Sequence, residues 1–255
     1  MNDSEGLYIA GINPIVEALR ADAPIEKLYV RHGTSLPPHL ERLARNAEIP
    51  IASLAHNKFD DLARRIGAVK HHQNIIALRR AYRNWEWEEF RRTALSDRAL
   101  VVACDRITDP HNFGAIARTA AAAEATALIT PIHDTAPITP AAISAASGAF
   151  EHIPIVRVRS LVTALADAKN VGWWIIGTGS DGTHLYTDPL YDRPVIVVIG
   201  SEGSGIRRSI LRLCDTVVRI PLAGNIESLN ASVAAGIVLF EIRRQRATDT
   251  ESRSA

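Results

Sequence analysis

The stretch Trp173–Pro189, WWIIGTGSDGTHLYTDP, closes an apolar run on Gly177, Gly179 and Gly182. The three glycines have the G-x-G-x-x-G spacing that, in dinucleotide folds, opens a helix beneath a pyrophosphate. That reading needs a helix directly after the glycines and a place in the first strand–helix–strand unit. Here THLYTDPLYDRP follows, with Pro189 and Pro194 and no helical period, and the match comes late in the chain. What remains is a loop of small residues at the C-terminal end of a strand, where open α/β sheets bind ligands.

The neighbouring strand ends look alike. VIVVIGSEGSGIRR carries Gly200, Gly203 and Gly205, and VVRIPLAGNIESLNAS follows the strand beyond. Glycine loops let backbone amides and carbonyls approach a ligand closely. Little cationic charge lies near the glycines, so a triphosphate fits poorly. A ligand with an adenosine end and an amino-acid end suits them better.

From Leu100 onward, short apolar runs (ALVVAC, TALIT, IPI and VRV, GWWIIG, PVIVVIG, DTVVRI) alternate with helical patterns at 113–124, 138–148, 160–170 and 205–212. Such alternation predicts a mostly parallel sheet covered on both faces. A last helix, about 228–246, places Leu229, Val233, Ile237 and Phe240 on one stripe and ends in arginines that suit its dipole. Residues 7–78 read as a small α/β unit: a helix opened by Asn13-Pro14, the strand EKLYV, a helix at 38–46 and the strand NIIALR. Between the units, 79–98 is charged and lacks a strand pattern. It reads as a linker with a short helix, anchored by Trp85, Trp87 and Phe90. The expected boundaries are 5–80 for the first domain, 81–98 for the linker, 99–247 for the second domain and 248–255 for a disordered tail.

The chain has 255 residues, 47% of them hydrophobic and 22% charged, with net charge +1. This is the soluble globular class. No apolar run approaches the roughly 20 residues of a membrane span, and the N-terminus shows no signal peptide, so the expectation is a cytoplasmic protein without a membrane partner. Cys104 and Cys214 read as buried reduced thiols. The His71-His72 pair and His111 lack metal-ligand spacing, so no metal is expected. The arginine clusters at 79–83, 91–92, 207–208 and 243–246 read first as solvated helix faces.

The stretch CDRITDPHNFGAIARTAAA places Asp105, Asp109, Asn112 and Arg118 around the start of an alanine-rich helix. Asn112 has an alternative reading as an N-cap, and Asp109-Pro110 as a turn. Arg118 is harder to explain structurally, because nothing in an alanine helix requires a guanidinium.

DRITDPHNFGAIARTA, IGSEGSGI and IPLAGNIESLNASVAAGIVLFE resemble, in order and spacing, the three signature motifs of the SpoU (TrmH-like) RNA ribose 2′-O-methyltransferases. GINPIVEAL and KHHQNIIAL resemble the substrate-binding domain of the bacterial 23S rRNA guanosine-2′-O-methyltransferase branch, with a ribosomal L30e-type RNA-binding fold. Two departures stand out: Asn74 after His72-Gln73, where that branch usually has glycine, and Asn225, where serine is common. The resemblance implies a SPOUT-type α/β domain with a deep C-terminal trefoil knot, S-adenosylmethionine as cofactor, structured RNA (rRNA first, tRNA as the alternative) as substrate, and a homodimer with the active site near the interface. Carried over by position, Thr178, Gly179, Gly200, Glu202, Ile220 and Leu229 would hold the cofactor. Arg118 would stand beside the ribose hydroxyl and Asn112 would orient Arg118 or the ribose. Glu202 would accept hydrogen bonds from the loop or from RNA. Ser228 and Asn230 would open the last helix and reach substrate, with Ser228 also read as its cap. A non-catalytic RNA-binding protein and a dinucleotide oxidoreductase are the competing classes.

Overall fold

The computed structural model describes residues 7–70, 72–92, 97–224 and 227–253, with 248–253 described by backbone alone. His71 and Asn225 lie outside the described residues. The N-terminal unit runs β1 (Leu7–Ala10), α1 (Ile12–Arg20), β2 (Ile25–Arg31), α2 (Pro38–Asn46), β3 (Ile51–Leu54), α3 (His56–Arg65) and β4 (Ile75–Arg79). Its sheet has the order β1-β4-β2-β3, with β4 antiparallel to both neighbours and β3 parallel to β2. β1, β3 and α3 add to the elements read from sequence. The turn into β4 sets Gln73 at φ 48° and Asn74 at φ 62°. Asparagine visits this left-handed region more readily than most residues, so Asn74 can occupy a glycine position. Gln73 Oε1 accepts the Ile12 N–H at 2.8 Å, which ties the turn to the start of α1.

The second unit runs β5 (Asn84–Glu86), α4 (Trp87–Phe90), β6 (Leu100–Asp105), α5 (Pro110–Ala122), β7 (Ala127–Pro131), α6 (Pro140–Ala146), a 3-10 turn (Ala149–Glu151), β8 (Ile155–Val158), α7 (Leu161–Asn170), β9 (Trp174–Thr178), β10 (His184–Leu185), β11 (Val195–Gly200), α8 (Arg208–Leu211), β12 (Thr216–Arg219) and α9 (Ala231–Arg253). Eight strands pair in the order β10-β12-β9-β11-β6-β7-β8-β5, and every pairing is parallel. β6 and β7 are buried at every position, as a sheet covered on both faces demands.

Three expectations change. Residues 81–98 are not a plain linker, because Asn84–Glu86 joins the sheet edge beside β8. Trp85 and Trp87 pack on the core there and Phe90 is 3% exposed, so the aromatics supply the burial that the charged neighbours lack. The last helix starts at Ala231 and its backbone stays helical to Arg253, well into the expected tail, since ATDTES holds no glycine or proline to stop it. Its packed face is Ala231, Ala235, Val238, Leu239 and Ile242, whereas Val233 and Phe240 on the expected stripe are 49% and 47% exposed. α9 is thus apolar on two faces.

One core cluster spans both units. It joins Ile9, Ile15 and Leu28 of the first to Phe113, Ile116 and Phe150 of the second. Across that joint, Arg79 pairs with Glu151, and their side chains are 3% and 7% exposed. Cys104 is buried and Cys214 half-buried, and burial pushes their thiols up to about 12 and about 11. Both stay protonated and inert at neutral pH.

α5 and α6 cross at Gly114, where an added Cβ would collide with the Ala142 carbonyl and stand 2.8 Å from Ala145 Cβ. Gly114→Ala therefore forces two backbones apart. The expected cost is about 1–3 kcal/mol, seen as a lower urea midpoint with an unchanged m-value.

Candidate functional site

Gly182 of GTGSDG serves the sheet. β9 is followed by the two-residue strand β10 and by no helix. A Cβ on Gly182 would stand 2.7–2.8 Å from the β12 backbone at Val217, Val218 and Arg219, so this glycine permits a close strand crossing. Gly200 has the same need: its Cβ would collide with the backbone of Gly205 and Ile206, where the loop after β11 folds back on itself. The Gly205 N–H closes that loop on the Ser201 carbonyl at 2.9 Å.

Three loops, after β9, β11 and β12, surround one cavity of about 560 Å³. Thr178, Gly179, Gly200, Glu202, Ile220 and Leu229 all line it, as does Ser228. Its apolar wall includes Ile199, Ile206, Leu211, Val218 and Leu222. Asp181, Glu202 and Glu227 bring three carboxylates, and no lysine, arginine or histidine is among the lining residues. Asp181 and Glu227 were missed in the sequence; their only signal was position in the loops flanking the glycines.

The loop after β11 is held from below. Asp105, fully buried at the end of β6, accepts from the Arg207 backbone N–H at 2.8 Å and from its Nε at 2.7 Å, and the Arg207 Nη2 lies 2.7 Å from the same carboxylate as an ion pair. Arg207 is therefore not on a solvated cluster, and Asp105 is more than a flank of its motif. The loop is also held from the side. Asn112 Nδ2 donates to Glu202 Oε1 at 2.9 Å, and Asn230 Nδ2 donates to both Asn112 Oδ1, at 2.9 Å, and Glu202 Oε1. The network unites the first turn of α5, the β11 loop and the start of α9.

Asn230 has a second duty. Its Oδ1 accepts from the Ser232 N–H at 3.0 Å, the Ser232 hydroxyl at 2.6 Å and the Val233 N–H at 3.3 Å, so Asn230 caps α9. This corrects the reading of Ser228 as the cap and of Asn230 as a residue inside the helix. Asp109, not Asn112, caps α5, through the His111 N–H at 3.0 Å.

Arg118 stands apart. It is six residues along α5 from Asn112, a rise of roughly 9 Å, and does not line the cavity. It is exposed, and its Nη1 donates to Ser147 Oγ at 3.2 Å. Asn112 bonds Glu202 and Asn230, so the expected link from Asn112 to Arg118 is absent among the hydrogen bonds of the described residues.

Fold and site together define an α/β protein with a ligand cavity built by three successive loops of a parallel sheet. The SpoU rRNA methylase family model matches residues 99–240, and the model for RNA 2′-O ribose methyltransferase substrate binding matches residues 8–85. The chain belongs to the SpoU family of RNA methyltransferases. It is 32% identical over 243 residues to a Bacillus subtilis protein provisionally named a TrmH family tRNA/rRNA methyltransferase, covering 94% of this chain and 96% of that one. The SpoU methyltransferase AviRb of Streptomyces viridochromogenes, solved with AdoMet, superposes with TM-score 0.81 at 26% identity, over 96% of this chain and 91% of AviRb. An AdoMet-bound rRNA methyltransferase of Sinorhizobium meliloti superposes with TM-score 0.77 at 26% identity, over 95% and 88%.

The double role of Asn230 is separable. Asn230→Ala loses the cap and about 1–2 kcal/mol of stability. Asn230→Ser keeps a capping oxygen and should stay within about 0.5 kcal/mol of the parent, although both substitutions lose the amide link to Glu202. Equilibrium urea unfolding of the two variants checks the difference.

Proposed function

We propose that the protein is an S-adenosylmethionine-dependent RNA ribose 2′-O-methyltransferase acting on a guanosine of large-subunit rRNA. The observation that carries the reading is the charge of the cavity: three carboxylates, an apolar wall and no cation. A pyrophosphate or triphosphate would be repelled there. S-adenosylmethionine, with a sulfonium, an ammonium and an adenosine, matches the lining and the volume. Thr178, Gly179, Gly200, Glu202, Ile220 and Leu229 would hold it. The rRNA assignment draws support from the N-terminal unit, which the substrate-binding model matches. The Sinorhizobium rRNA methyltransferase, covering 95% of this chain, points the same way. The choice of guanosine rests on the sequence motifs alone.

When bound, S-adenosylmethionine supplies a methyl group that leaves its sulfur, with the electron pair staying on sulfur, as the bond to the ribose oxygen forms. The chain's own residues must place a weakly nucleophilic hydroxyl and manage its proton. Glu202, held by the Asn112 and Asn230 amides, fixes the loop that forms the cavity rim. Arg118, exposed on α5, stabilises the developing alkoxide and grips the neighbouring phosphate. A guanidinium stays protonated, so the proton leaves to phosphate or water. We further propose that the chain between β9 and α9 is threaded as a trefoil knot. Support comes from the β12 backbone crossing at Gly182 and from Gln245 of α9 bonding the Thr187 carbonyl at 3.0 Å.

The exposed face of α9 supports a homodimer. Val233 and Phe240 are about half exposed, and this face begins within one turn of the cavity-lining Ala231 and Ala234. A second copy seated there buries the patch and brings the joint to the cavity mouth.

Arg118→Ala should keep S-adenosylhomocysteine binding by calorimetry and lose at least about a hundredfold in methyl transfer. Arg118→Lys should fail as well, because a point charge does not reproduce a planar fork. Near-normal turnover in Arg118→Ala would overturn the role. Mapping 2′-O-methyl marks on rRNA and tRNA from cells with and without the protein separates the two substrates, and absence of cofactor binding would leave only an RNA-binding module. Separately, Phe240→Glu should shift the sedimenting species from dimer to monomer; a parent chain that sediments as a monomer rejects the dimer.

A further inference from the structure

We infer that Ser147 is a positioning residue for Arg118, and that it is itself held in place by the seat of the N-terminal unit. The inference rests on the catalytic reading of Arg118 given above. Among the described residues, the hydrogen bond that the Arg118 guanidinium makes is to Ser147 Oγ, at 3.2 Å. The Ser147 hydroxyl in turn reaches the Ser144 carbonyl at 3.4 Å. One hydroxyl proton goes to that carbonyl, which leaves a lone pair facing the guanidinium. Among the described residues, this long exposed side chain on an alanine helix has no other hydrogen bond.

The backbone that presents the hydroxyl is unusual. Ser147 follows α6 at φ 46° and ψ 46°, in the left-handed region that side chains other than glycine and asparagine seldom occupy. Its N–H closes α6 on the Ile143 and Ser144 carbonyls, at 3.1 and 3.3 Å, as a left-handed C-terminal cap does. The residues that follow it are seated on the other domain. Gly148, at φ 89°, packs so closely on Glu17 of α1 that a Cβ would collide with that side chain. Glu151, at the end of the next turn, makes the buried pair with Arg79 of β4. The Arg79 guanidinium stacks on the Tyr82 ring at 3.7 Å. Phe150 bridges Tyr82, at 5.5 Å, and Phe113 of α5, at 5.6 Å between ring centroids. Residues 147–151 therefore touch the N-terminal unit on one side and the arginine-bearing helix on the other. The orientation of Arg118 is mechanically continuous with the docking of the domain that the substrate-binding model matches.

Ser147→Gly tests this, since glycine accepts the left-handed backbone and only the hydroxyl is lost. The expected result is a roughly tenfold fall in kcat, with the KM for S-adenosylmethionine, the affinity for S-adenosylhomocysteine and the thermal midpoint unchanged. A readout independent of turnover is 15N relaxation of the Arg118 Nε–H group in the full-length protein, assigned against Arg118→Lys: its order parameter should fall in Ser147→Gly. Ser147→Asn, which tolerates the same backbone and offers an amide oxygen, should recover part of both. Unchanged kcat and unchanged order parameter overturn the inference, as does a loss of stability and cofactor affinity together, which would mark a purely structural serine. If Arg118→Ala retains turnover, the catalytic reading of Arg118 fails by itself, while the relaxation data still decide whether Ser147 holds the side chain.

Discussion

A carboxylate with no solvent exposure sits at the end of β6, and the loop after β11 is built around it. A carboxylate buried there needs polar partners, because an isolated buried charge costs several kcal/mol or more. The compensation of Asp105 comes from 102 residues away, as two hydrogen bonds and an ion pair from Arg207. The pair fixes the end of the glycine loop against the central strand. With that end fixed, Gly200 can fold back on Gly205, and Glu202 projects to the rim, where the Asn112 and Asn230 amides meet it. The cavity follows from this anchoring: its floor is strand ends, its rim is a carboxylate held by two helix starts, and its third wall is the segment that leads into α9.

The sequence showed some of this and concealed the rest for physical reasons. The parallel sheet was legible, because strands buried on both faces must be near-continuous apolar runs, as ALVVAC and PVIVVIG are. The failure of the dinucleotide reading was legible too, since no helix pattern follows Gly182. β5 was hidden, because an edge strand of three residues carries only one inward side chain, Trp85, and no period can be read from one residue. The packed face of α9 was hidden because its first two turns pack through alanines, ahead of Val238, Leu239 and Ile242. Ala231 and Ala235 are buried, and Gly236 brings α9 against α5, where an added Cβ would stand 3.7 Å from Thr119 Cγ2, while the larger Val233 and Phe240, which dominate any apolar period, are half exposed. Local pattern ranks residues by size, and close helix packing selects small ones.

The site divides along the same line. The six residues assigned to the cofactor by motif all line the cavity; five lie at or just beyond strand ends, which could be read, and Leu229 lies just before α9. Pairings between distant segments could not. Nothing near Asp105 announces Arg207, and nothing near Asn230 shows that it, and not Ser228, caps the helix. The 243–246 arginines show the same limit. They read as a solvated face, yet Arg243 caps α5 by donating to the Ala122 carbonyl at 2.9 Å, and Arg246 is held by the Tyr191 carbonyl at 3.0 Å. Burial holds the Arg246 guanidinium down to about 10, as expected for a cation engaged inward.

The distribution of charge suggests how a near-neutral protein handles a polyanion. Net charge +1 gives little long-range pull, so attraction to RNA must be local. Inside the cavity every formal charge is negative, while Arg118 lies outside it, on an exposed face of α5. Under the proposed function, a phosphate is refused by the pocket and accepted beside it. On that reading the segregation keeps a cationic cofactor and an anionic backbone in separate compartments and leaves their boundary as the place where a hydroxyl and a methyl group can meet. It also makes the orientation of one guanidinium consequential, since the described lining of the cavity supplies no cation in its place. A side chain in that position needs a restraint, and the only one the described structure offers passes through Ser147 to the domain that the substrate-binding family model matches.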